Sequence, residues 1–339
     1  MPKFESRILT ENEYPLWDRF VDNSPQGTVF HKSYWIKATN IYKEFKIKII
    51  GVFNDNELVG GCAFHVKNLL FSKLIYSPFP MTAAYCGIIL KEVKTDNVRK
   101  RENFHNNIIK AVLSQINSPL YYSIICNHPK LYDVRQFKWL NWKIDTVYTY
   151  IIQLKKYKGK EEFLKSVSNS ARRAIKNAKK SKVMIKKELN ARIIYDLHKE
   201  TFDYHGLRQR PLRFFESVYN EFGKTIKAHQ YNPYKDKKLL SSILFIEDNK
   251  NFYYWIGGSI KKSSLFNSPS LIVYEAVSDF LPSNKTLDFV GATKEHIANF
   301  ESAFNPDLVP YYYAYRMNLI AKTLHLFHRM HNRIKHNKG

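Results

Sequence analysis

The chain has 339 residues, of which 44% are hydrophobic and 15% aromatic, so it can build a sizeable core and is not disordered. Its 54 Lys and Arg residues outnumber 30 Asp and Glu residues, which gives a net charge of +24. Such a charge favours anionic partners, namely nucleic acid, phosphorylated molecules or an anionic membrane surface. A genome-wide bias in composition would produce the same charge, and this alternative stays open.

Targeting and metal signals are missing from the sequence. The N-terminus has no apolar signal segment and no apolar stretch approaches the roughly 18 residues of a membrane span, so we expect a cytoplasmic protein. Cys62, Cys86 and Cys126 lie in apolar runs without a CxxC pair, which predicts buried reduced thiols and no metal site.

Apolar periodicity predicts the elements of the first half of the chain. These are, in order, a strand at Arg7–Thr10, helices over 12–24 and 31–45, strands at Lys46–Phe53, Leu58–Val66, Leu74–Tyr76 and Ala84–Leu90, a helix over Asn97–Ile116, and strands at Tyr121–Cys126 and Tyr148–Leu154.

The second half repeats much of this order after a helix predicted over Glu161–Ser181. Its further elements are a strand at Lys182–Leu189, helices over Ala191–Asp203 and 211–222, strands at Lys227–Gln230, Leu239–Glu247 and Asn251–Ser259, a helix over Pro269–Phe280 and a strand at Thr286–Val290.

The two halves match without gaps when one is shifted by 181 positions, so that Asp55 meets Asp236 and Phe64 meets Phe245. Such a register indicates a duplicated unit. The predicted class is α+β (mixed α/β), with two tandem domains, each a mostly antiparallel mixed sheet flanked by helices. We predict domains at 1–155 and 156–316, followed by a basic amphipathic helix at 317–339.

Four sequence patterns resemble those of a known family. They are "SVSNSARRAIKNAKKSKVMI" (166–185), "NFYYWIGGSI" (251–260), "NSPSLIVYEAVSDF" (267–280), and "LDFVGAT" (287–293) followed by "NFESAFN" (299–305). In this order they resemble tandem-GNAT acyltransferases, namely the Fem-type aminoacyltransferases and the BioF2-like (CelD-type) acetyltransferases. The resemblance implies two GNAT-like domains and an N-acyltransferase that needs no covalent intermediate.

The chain also departs from the family's patterns. Glu301 stands where many Fem-type members carry a Lys, and the Q/RxxGxG/A signature of ordinary GNAT enzymes is absent. The helical arm of some tRNA-using members has no room before the strand predicted at Lys182–Leu189. The sequence therefore does not locate a pyrophosphate cradle.

The basic run at 166–185 supplies the first candidate site. Arg172, Arg173 and Lys176 lie in the middle of the predicted helix beside two serines, and arginine suits phosphate or carboxylate groups. We expect them to bind an anionic substrate. The alternative is the solvated face of an amphipathic helix, whose apolar stripe faces a core.

The loop between the next two helices supplies the second candidate site. In the GNAT-like layout it borders the acceptor site, which makes His205, Arg208 and Arg210 candidates for acceptor binding. His205 could act as a general base because an ordinary histidine titrates near pH ~6.5. A surface loop with three exposed polar residues is the alternative.

Residues of the predicted strands supply the third candidate site. Asp288 is a carboxylate between apolar neighbours, and we predict that it orients the amine or accepts its proton, with a cap or a structural pair as the alternative. Tyr254 and Ser259 flank the two glycines of "NFYYWIGGSI" and could hold the acyl donor, although a strand tyrosine commonly packs in a core.

Together with these candidate residues, the resemblance to tandem-GNAT proteins implies an acyltransferase. It would move an acyl or aminoacyl group from acyl-CoA, acyl carrier protein or aminoacyl-tRNA to a primary amine of a cell-wall or surface-polysaccharide precursor, with no permanently bound cofactor. The expected partners are an anionic or nucleotide-linked substrate, tRNA, and a membrane surface touched through 317–339, unless that helix docks on the protein itself. The alternative function is a non-catalytic RNA-binding protein that retains the fold.

Overall fold

The structure is a computed structural model that describes residues 4–69, 72–78, 82–116, 120–204, 206–207, 209–260 and 267–317. Within these residues, no helix combines the length and hydropathy that crossing a bilayer requires. Cys62, Cys86 and Cys126 are buried free thiols.

The described elements follow the predicted order closely. The first eleven described α-helices and strands are β1 (Phe4–Ile8), α1 (Tyr14–Asn23), α2 (Ser33–Thr39), β2 (Lys46–Asn54), β3 (Glu57–Leu69), β4 (Ser72–Ser77), β5 (Ile89–Leu90), α3 (Val98–Gln115), β6 (Leu120–Cys126), α4 (Arg135–Trp139) and β7 (Lys143–Gln153). The rest are α5 (Lys160–Ser166), α6 (Asn169–Lys180), β8 (Met184–Lys187), α7 (Ala191–Tyr204), α8 (Leu212–Tyr219), β9 (Lys227–Lys235), β10 (Lys238–Leu239), β11 (Ser241–Glu247), β12 (Asn251–Ser259), α9 (Ser268–Asp279), β13 (Thr286–Asp288), α10 (Glu295–Ser302) and β14 (Asp307–Met317).

The chain forms two compact units. Unit 1 draws its described residues from 1–36, 42–146 and 311–339, and unit 2 from 37–41 and 147–310. In unit 1 the strand order is β1-β2-β3-β4-β6-β14, with β5 beside β3. In unit 2 it is β7-β13-β12-β11-β9-β10, with β8 beside β9. Among the strand pairs of the described residues, one in each unit is parallel, β4 with β6 and β12 with β13, so each described sheet is mostly antiparallel.

Backbone geometry supports the predicted duplication. Asp55 and Asn56 have φ angles of 49° and 67°, and Asp236 and Lys237, which lie 181 positions later, have 48° and 66°. Positive φ at both central residues is the signature of a type I′ hairpin, which suits the twist of the flanking strands. The strands before the two turns, β2 and β9, also share one order of exposed, half-buried and buried positions.

The core of unit 2 joins helices from both ends of the unit to the sheet. Phe163 of α5, Ile175 of α6 and Val273 of α9 pack in one cluster with Phe245 and Phe252 of the strands. Each of these side chains is at most 1% exposed. Burial of this apolar surface holds α5, α6 and α9 against the sheet.

The structure corrects several predicted elements. The helix predicted over Glu161–Ser181 is broken at Val167, whose backbone is extended, and Ser168 caps a second helix by accepting a 3.2 Å hydrogen bond from the Ala171 N–H. The apolar stripe is buried nonetheless. The helix predicted over 31–45 ends at Thr39, and the strand predicted at Ala84–Leu90 shrinks to Ile89–Leu90.

Three elements had no counterpart in the sequence-based prediction, namely α4, α10 and β14. From Tyr311 onward β14 belongs to unit 1, where it pairs antiparallel with β6. That segments 1–155 and 156–316 fold as separate domains stays a prediction. Of the predicted helix 317–339, residues 318–339 lie outside the described residues, so its contact with a membrane also stays a prediction.

Candidate functional site

Two parallel strands of unit 2 separate at the candidate site. β12 and β13 pair only from Asn251 with Thr286 to Tyr253 with Asp288. Beyond that point β12 continues to Ser259 and stays paired with β11 on its other side. The edge that β13 leaves has no strand partner in the described part of unit 2, so a slot opens between the strands.

A bulge lies at the start of the slot. Leu244 of β11 pairs with Ile256, but the next residue, Phe245, pairs with Tyr254, so Trp255 is an extra residue in β12. A β-bulge bends a strand and increases its local twist. The irregularity therefore coincides with the place where β12 loses its parallel neighbour.

Two glycines bring other groups close to β12. A Cβ on Gly258 would lie 2.4 Å from the His198 backbone nitrogen, so α7 rests directly on this part of the strand. A Cβ on Gly257 would lie 2.4 Å from the Tyr254 hydroxyl oxygen. A backbone thus requires glycine at position 258, whereas at position 257 the neighbour is the tip of a side chain, which can move.

A cavity of about 630 Å³ occupies the slot. This volume is in the range of sites that hold small molecules. Most of the wall is apolar and comes from Leu207, Ile243, Ile256, Phe289, Ile297 and Phe300. Tyr254, Ser259, His198 and Glu301 contribute polar groups, while Lys294 and His296 line it from exposed positions.

A strained turn forms one wall of the cavity. Val290 has φ of +55°, which is a genuine outlier for a β-branched residue. Its N–H donates a 2.8 Å hydrogen bond to Asp288 Oδ1, which also accepts a 2.7 Å bond from the Thr149 hydroxyl. Gly291 follows at the cavity wall, and its N–H has no hydrogen-bond partner among the described residues.

Glu301 of α10 is a buried carboxyl group beside the cavity. It is 4% exposed, and its Oε2 has no hydrogen-bond partner within the described part of the chain. Burial, with a smaller contribution from the charge of Asp288, raises the pKa of Glu301 to about 9. The group is therefore uncharged at neutral pH. The one feature of the sequence that distinguished Glu301 was its negative charge at a position where many Fem-type proteins carry a Lys.

His198 of α7 is the second buried titratable group at the cavity. It is 8% exposed, and its ring centroid lies 4.0 Å from that of Phe202. Burial lowers the pKa of His198 to about 4, so the imidazole is neutral at pH 7. The sequence analysis missed it. Its signal was the helical spacing that places it on the apolar face of α7 with Ile194 and Leu197.

Solved structures match this chain along almost its whole length. "FemX" superposes with a TM-score of 0.69 at 14% identity, covering 91% of this chain and 96% of that one. This chain has the tandem GNAT fold. A tandem GNAT protein from the clavulanic acid biosynthesis pathway has a TM-score of 0.52 at 7% identity, covering 93% of this chain and 98% of its own.

A third match is L-PGS from Bacillus licheniformis, with a TM-score of 0.53, 9% identity, and coverage of 91% of this chain and 92% of that one. No family model matches the sequence, and no curated protein has significant sequence similarity to it. The resemblance and the fold class inferred from the sequence are confirmed. Identities this low show the fold alone.

The two copies of the tandem GNAT fold differ at the slot. In unit 1 the parallel strands β4 and β6 stay paired up to Ser77, the last residue of β4, opposite Ile125. The Ser77 hydroxyl is buried and donates a 2.7 Å hydrogen bond to the Ala63 carbonyl. The early separation of strands described for β12 and β13 therefore belongs to unit 2.

Some residues predicted from the sequence lie at this slot. Tyr254 and Ser259 line the cavity, and Asp288 lies behind the turn at Val290. Arg210 does not line it; its guanidinium lies 5.3 Å above the ring of Phe214. His205 and Arg208 fall outside the described residues. Their roles stay predictions.

The basic residues of α6 do not line this cavity. Arg172 is half-buried and uses its guanidinium on backbone carbonyls, with bonds of 3.1 Å to Leu164, 2.6 Å to Lys165 and 3.0 Å to Val167. Arg173 and Lys176 are exposed. The sequence-based proposal that these three residues bind an anion stays a prediction, and most of the Arg172 donors are already engaged.

Proposed function

We propose that unit 2 catalyses the transfer of an acyl or aminoacyl group to a primary amine. The observation that carries this proposal is Glu301, a buried carboxyl group without a described partner at a cavity that opens where β12 and β13 separate. A buried polar group is normally hydrogen-bonded, so an unpaired one facing a cavity is suited to a ligand. The fold shared with tandem GNAT proteins agrees with this reaction class.

Glu301 is suited to take a proton from the attacking amine. An ordinary ammonium group has a pKa of ~10.4 and an ordinary glutamate ~4.3, so proton transfer between them costs about 8 kcal/mol. A carboxylate with a pKa of about 9 reduces that cost to about 2 kcal/mol. The burial that makes Glu301 uncharged at rest thus also makes its ionised form an effective base.

The proposed reaction is a direct displacement. Glu301 acts in its ionised form, after releasing its own proton to solvent. The neutral amine nitrogen attacks the carbonyl carbon of the donor, the bond from that carbon to sulfur or ester oxygen breaks, and the amine proton passes to the Glu301 carboxylate and on to the leaving sulfur or oxygen. The Gly291 N–H at the cavity wall is a candidate donor to the oxyanion that forms. Tyr254 and Ser259 would contact the donor.

The substrates are proposed from chemistry and likeness. Acyl-CoA, acyl carrier protein and aminoacyl-tRNA each present an activated carbonyl, and all three are anionic, which suits a net charge of +24. The amine would belong to a cell-wall or surface-polysaccharide precursor, as proposed from the likeness to Fem-type proteins. Because these donors are cytoplasmic molecules, we propose a cytoplasmic enzyme without a permanent cofactor.

The test offers the full-length protein a panel of acyl-CoA, acyl carrier protein and aminoacyl-tRNA donors with primary amines, and mass spectrometry detects acylated amine. We expect product with one donor class and a loss of at least ~100-fold in rate for Glu301→Gln. Glu295→Gln is the matched control, because Glu295 is an exposed residue of the same helix. No product with any donor, or full activity of Glu301→Gln, would contradict the proposal.

A non-catalytic RNA-binding function is the second candidate, and the exposed side of α6 favours it. Arg173, Lys176 and Lys180 lie there without an acidic partner among the described residues. If this face contacts several phosphates, log affinity for tRNA falls steeply with log salt, and replacing all three residues by Gln reduces the slope. Binding of this kind without acyl transfer to any amine would favour this candidate.

A further inference from the structure

The turn at Val290 is held by an unusual number of bonds. The Phe289 N–H donates to the Tyr150 carbonyl at 3.0 Å, and the Ala292 N–H donates to the Tyr148 carbonyl at 2.8 Å. Between these two anchors, the Val290 N–H donates to Asp288 Oδ1. A left-handed conformation at a β-branched residue persists only where its surroundings impose it.

Asp288 is the centre of that arrangement. It is 2% exposed, and Thr149, which donates to the same carboxylate oxygen, is fully buried. The side chain of Asp288 does not line the cavity, whereas Val290 and Gly291 do. The carboxylate therefore contacts the turn that lines the cavity, and not the cavity itself.

Asp288 also acts on Glu301 through its charge. The groups near Glu301 that could influence its protonation come from four elements: Asp288 of β13, Tyr254 of β12, His198 of α7, and Lys294 and His296 at the start of α10. Of these, Asp288 adds to the effect of burial by opposing a second negative charge. One buried carboxylate thus links the shape of the cavity wall to the protonation of the proposed base.

We propose that Asp288 is a positioning residue, which holds the left-handed turn at Val290 against the cavity. Its charge also opposes ionisation of Glu301. It differs from the sequence-based prediction that Asp288 orients the amine or accepts its proton directly. The proposal rests on the proposed function, because it assigns Glu301 the role of base. The structural part of it, the coupling between Asp288 and Glu301, can be measured without activity.

The first experiment measures that coupling. Infrared spectroscopy of the full-length protein follows the carbonyl band of protonated Glu301, assigned by its loss in Glu301→Gln, as a function of pH. Asp288→Asn keeps an oxygen acceptor but removes the charge, so we expect the midpoint to fall by roughly one pH unit. Asp307→Asn, at an exposed carboxylate paired with Lys156, is the matched control and leaves the midpoint in place. An unchanged midpoint in Asp288→Asn would overturn the proposal.

The second experiment tests, through kcat, whether Asp288 holds the turn at Val290 in place. Asp288→Ala removes the acceptor for the Val290 N–H, and we expect a fall of about 100-fold in kcat, as for other displaced active-site walls. Adding Val290→Gly lets the backbone keep a positive φ without strain, so the double variant recovers at least about tenfold. Asp288→Ala at full rate, or no recovery in the double variant, would contradict the positioning role.

A milder substitution distinguishes loss of the positioning role from a failure of Asp288→Ala to fold. Thr149→Val removes the hydroxyl that supports the carboxylate, and we expect a fall in kcat of about tenfold that Thr149→Ser restores; equal rates for both would contradict the arrangement. If the unaltered protein forms no product, the proposed function fails, while the infrared midpoint still decides whether Asp288 controls Glu301.

Discussion

Arg172 Nη2 donates a 2.6 Å hydrogen bond to the carbonyl oxygen of Lys165, in the last turn of the preceding helix. The same guanidinium also reaches the carbonyls of Leu164 and Val167. The last carbonyls of a helix have no partner within it, so a cation placed there satisfies them. Arg172 therefore bridges the break between α5 and α6.

This arrangement predicts unequal effects of two neighbouring arginines. We expect Arg172→Ala to lower the free energy of unfolding by about 1.5–3 kcal/mol, because several carbonyls lose a charged donor. Arg173→Ala removes the same charge from an exposed side chain and should change it by less than about 0.5 kcal/mol. Urea unfolding of both variants measures the difference, and equal midpoints would show that the bridge contributes nothing.

The buried carboxyl of Glu301 predicts a pH-dependent stability. Between its ordinary pKa of 4.5 and the raised value of about 9, the unfolded chain has lost this proton while the folded chain keeps it. Stability therefore falls as pH rises through this window, by up to ~1.4 kcal/mol per pH unit from this group. Between pH 5 and 9, the free energy of unfolding of Glu301→Gln should therefore increase relative to that of the unaltered protein as pH rises. Parallel curves would contradict the burial of an uncharged carboxyl.

His198 predicts the opposite dependence at lower pH. Its pKa is about 4 when folded and 6.5 ordinarily, so below pH 6.5 the unfolded chain binds a proton that the folded chain does not. Stability from this group is lost as pH falls through 6.5 toward 4. His198→Gln should flatten this part of the profile. Nuclear magnetic resonance titration of the imidazole gives an independent check.

The approach of α7 to β12 predicts a large effect of one methyl group. Gly258→Ala places a Cβ 2.4 Å from the His198 backbone nitrogen, and a helix backbone cannot move as a side-chain tip can. We expect a loss of about 1–3 kcal/mol in stability. Gly159→Ala is the control, because no atom lies within 4 Å of its added Cβ and its backbone is extended. Thermal unfolding of both variants tests this; similar melting temperatures would contradict the close packing.

The two matching hairpin turns predict that a glycine substitution raises stability. Lys237 has φ of 66°, which costs an ordinary L-residue about 1–2 kcal/mol, so Lys237→Gly should raise stability by about 1 kcal/mol. Asn56 occupies the matching position of the first copy at 67°, and because Asn tolerates this region, Asn56→Gly should gain less. Denaturant unfolding compares the two. A loss of stability in Lys237→Gly would count against the turn type.

Local patterns in the sequence determined much of this protein. Periodicity of apolar residues located most helices and strands, because amphipathic faces depend on neighbouring residues, and the match of Asp55 with Asp236 indicated a duplicated unit. The order of these elements indicated two tandem α+β domains, and the tandem GNAT fold was implied by the resemblance of four sequence patterns to that family. Tyr254 and Ser259, which flank the two glycines of "NFYYWIGGSI", were candidates from the sequence and line the cavity, while their contact with a donor stays a prediction.

Tertiary contacts decided the chemistry of the site. Whether a carboxyl group is charged depends on what surrounds it, and Glu301 is buried by residues of distant segments, so its sequence neighbours could not reveal a pKa of about 9. The same holds for Asp288, whose partner Thr149 lies 139 positions away, and for Arg172, whose role arises where a helix ends. Periodicity reports which face of an element is buried, whereas the pairing and desolvation of polar groups are set by contacts between elements far apart in the chain.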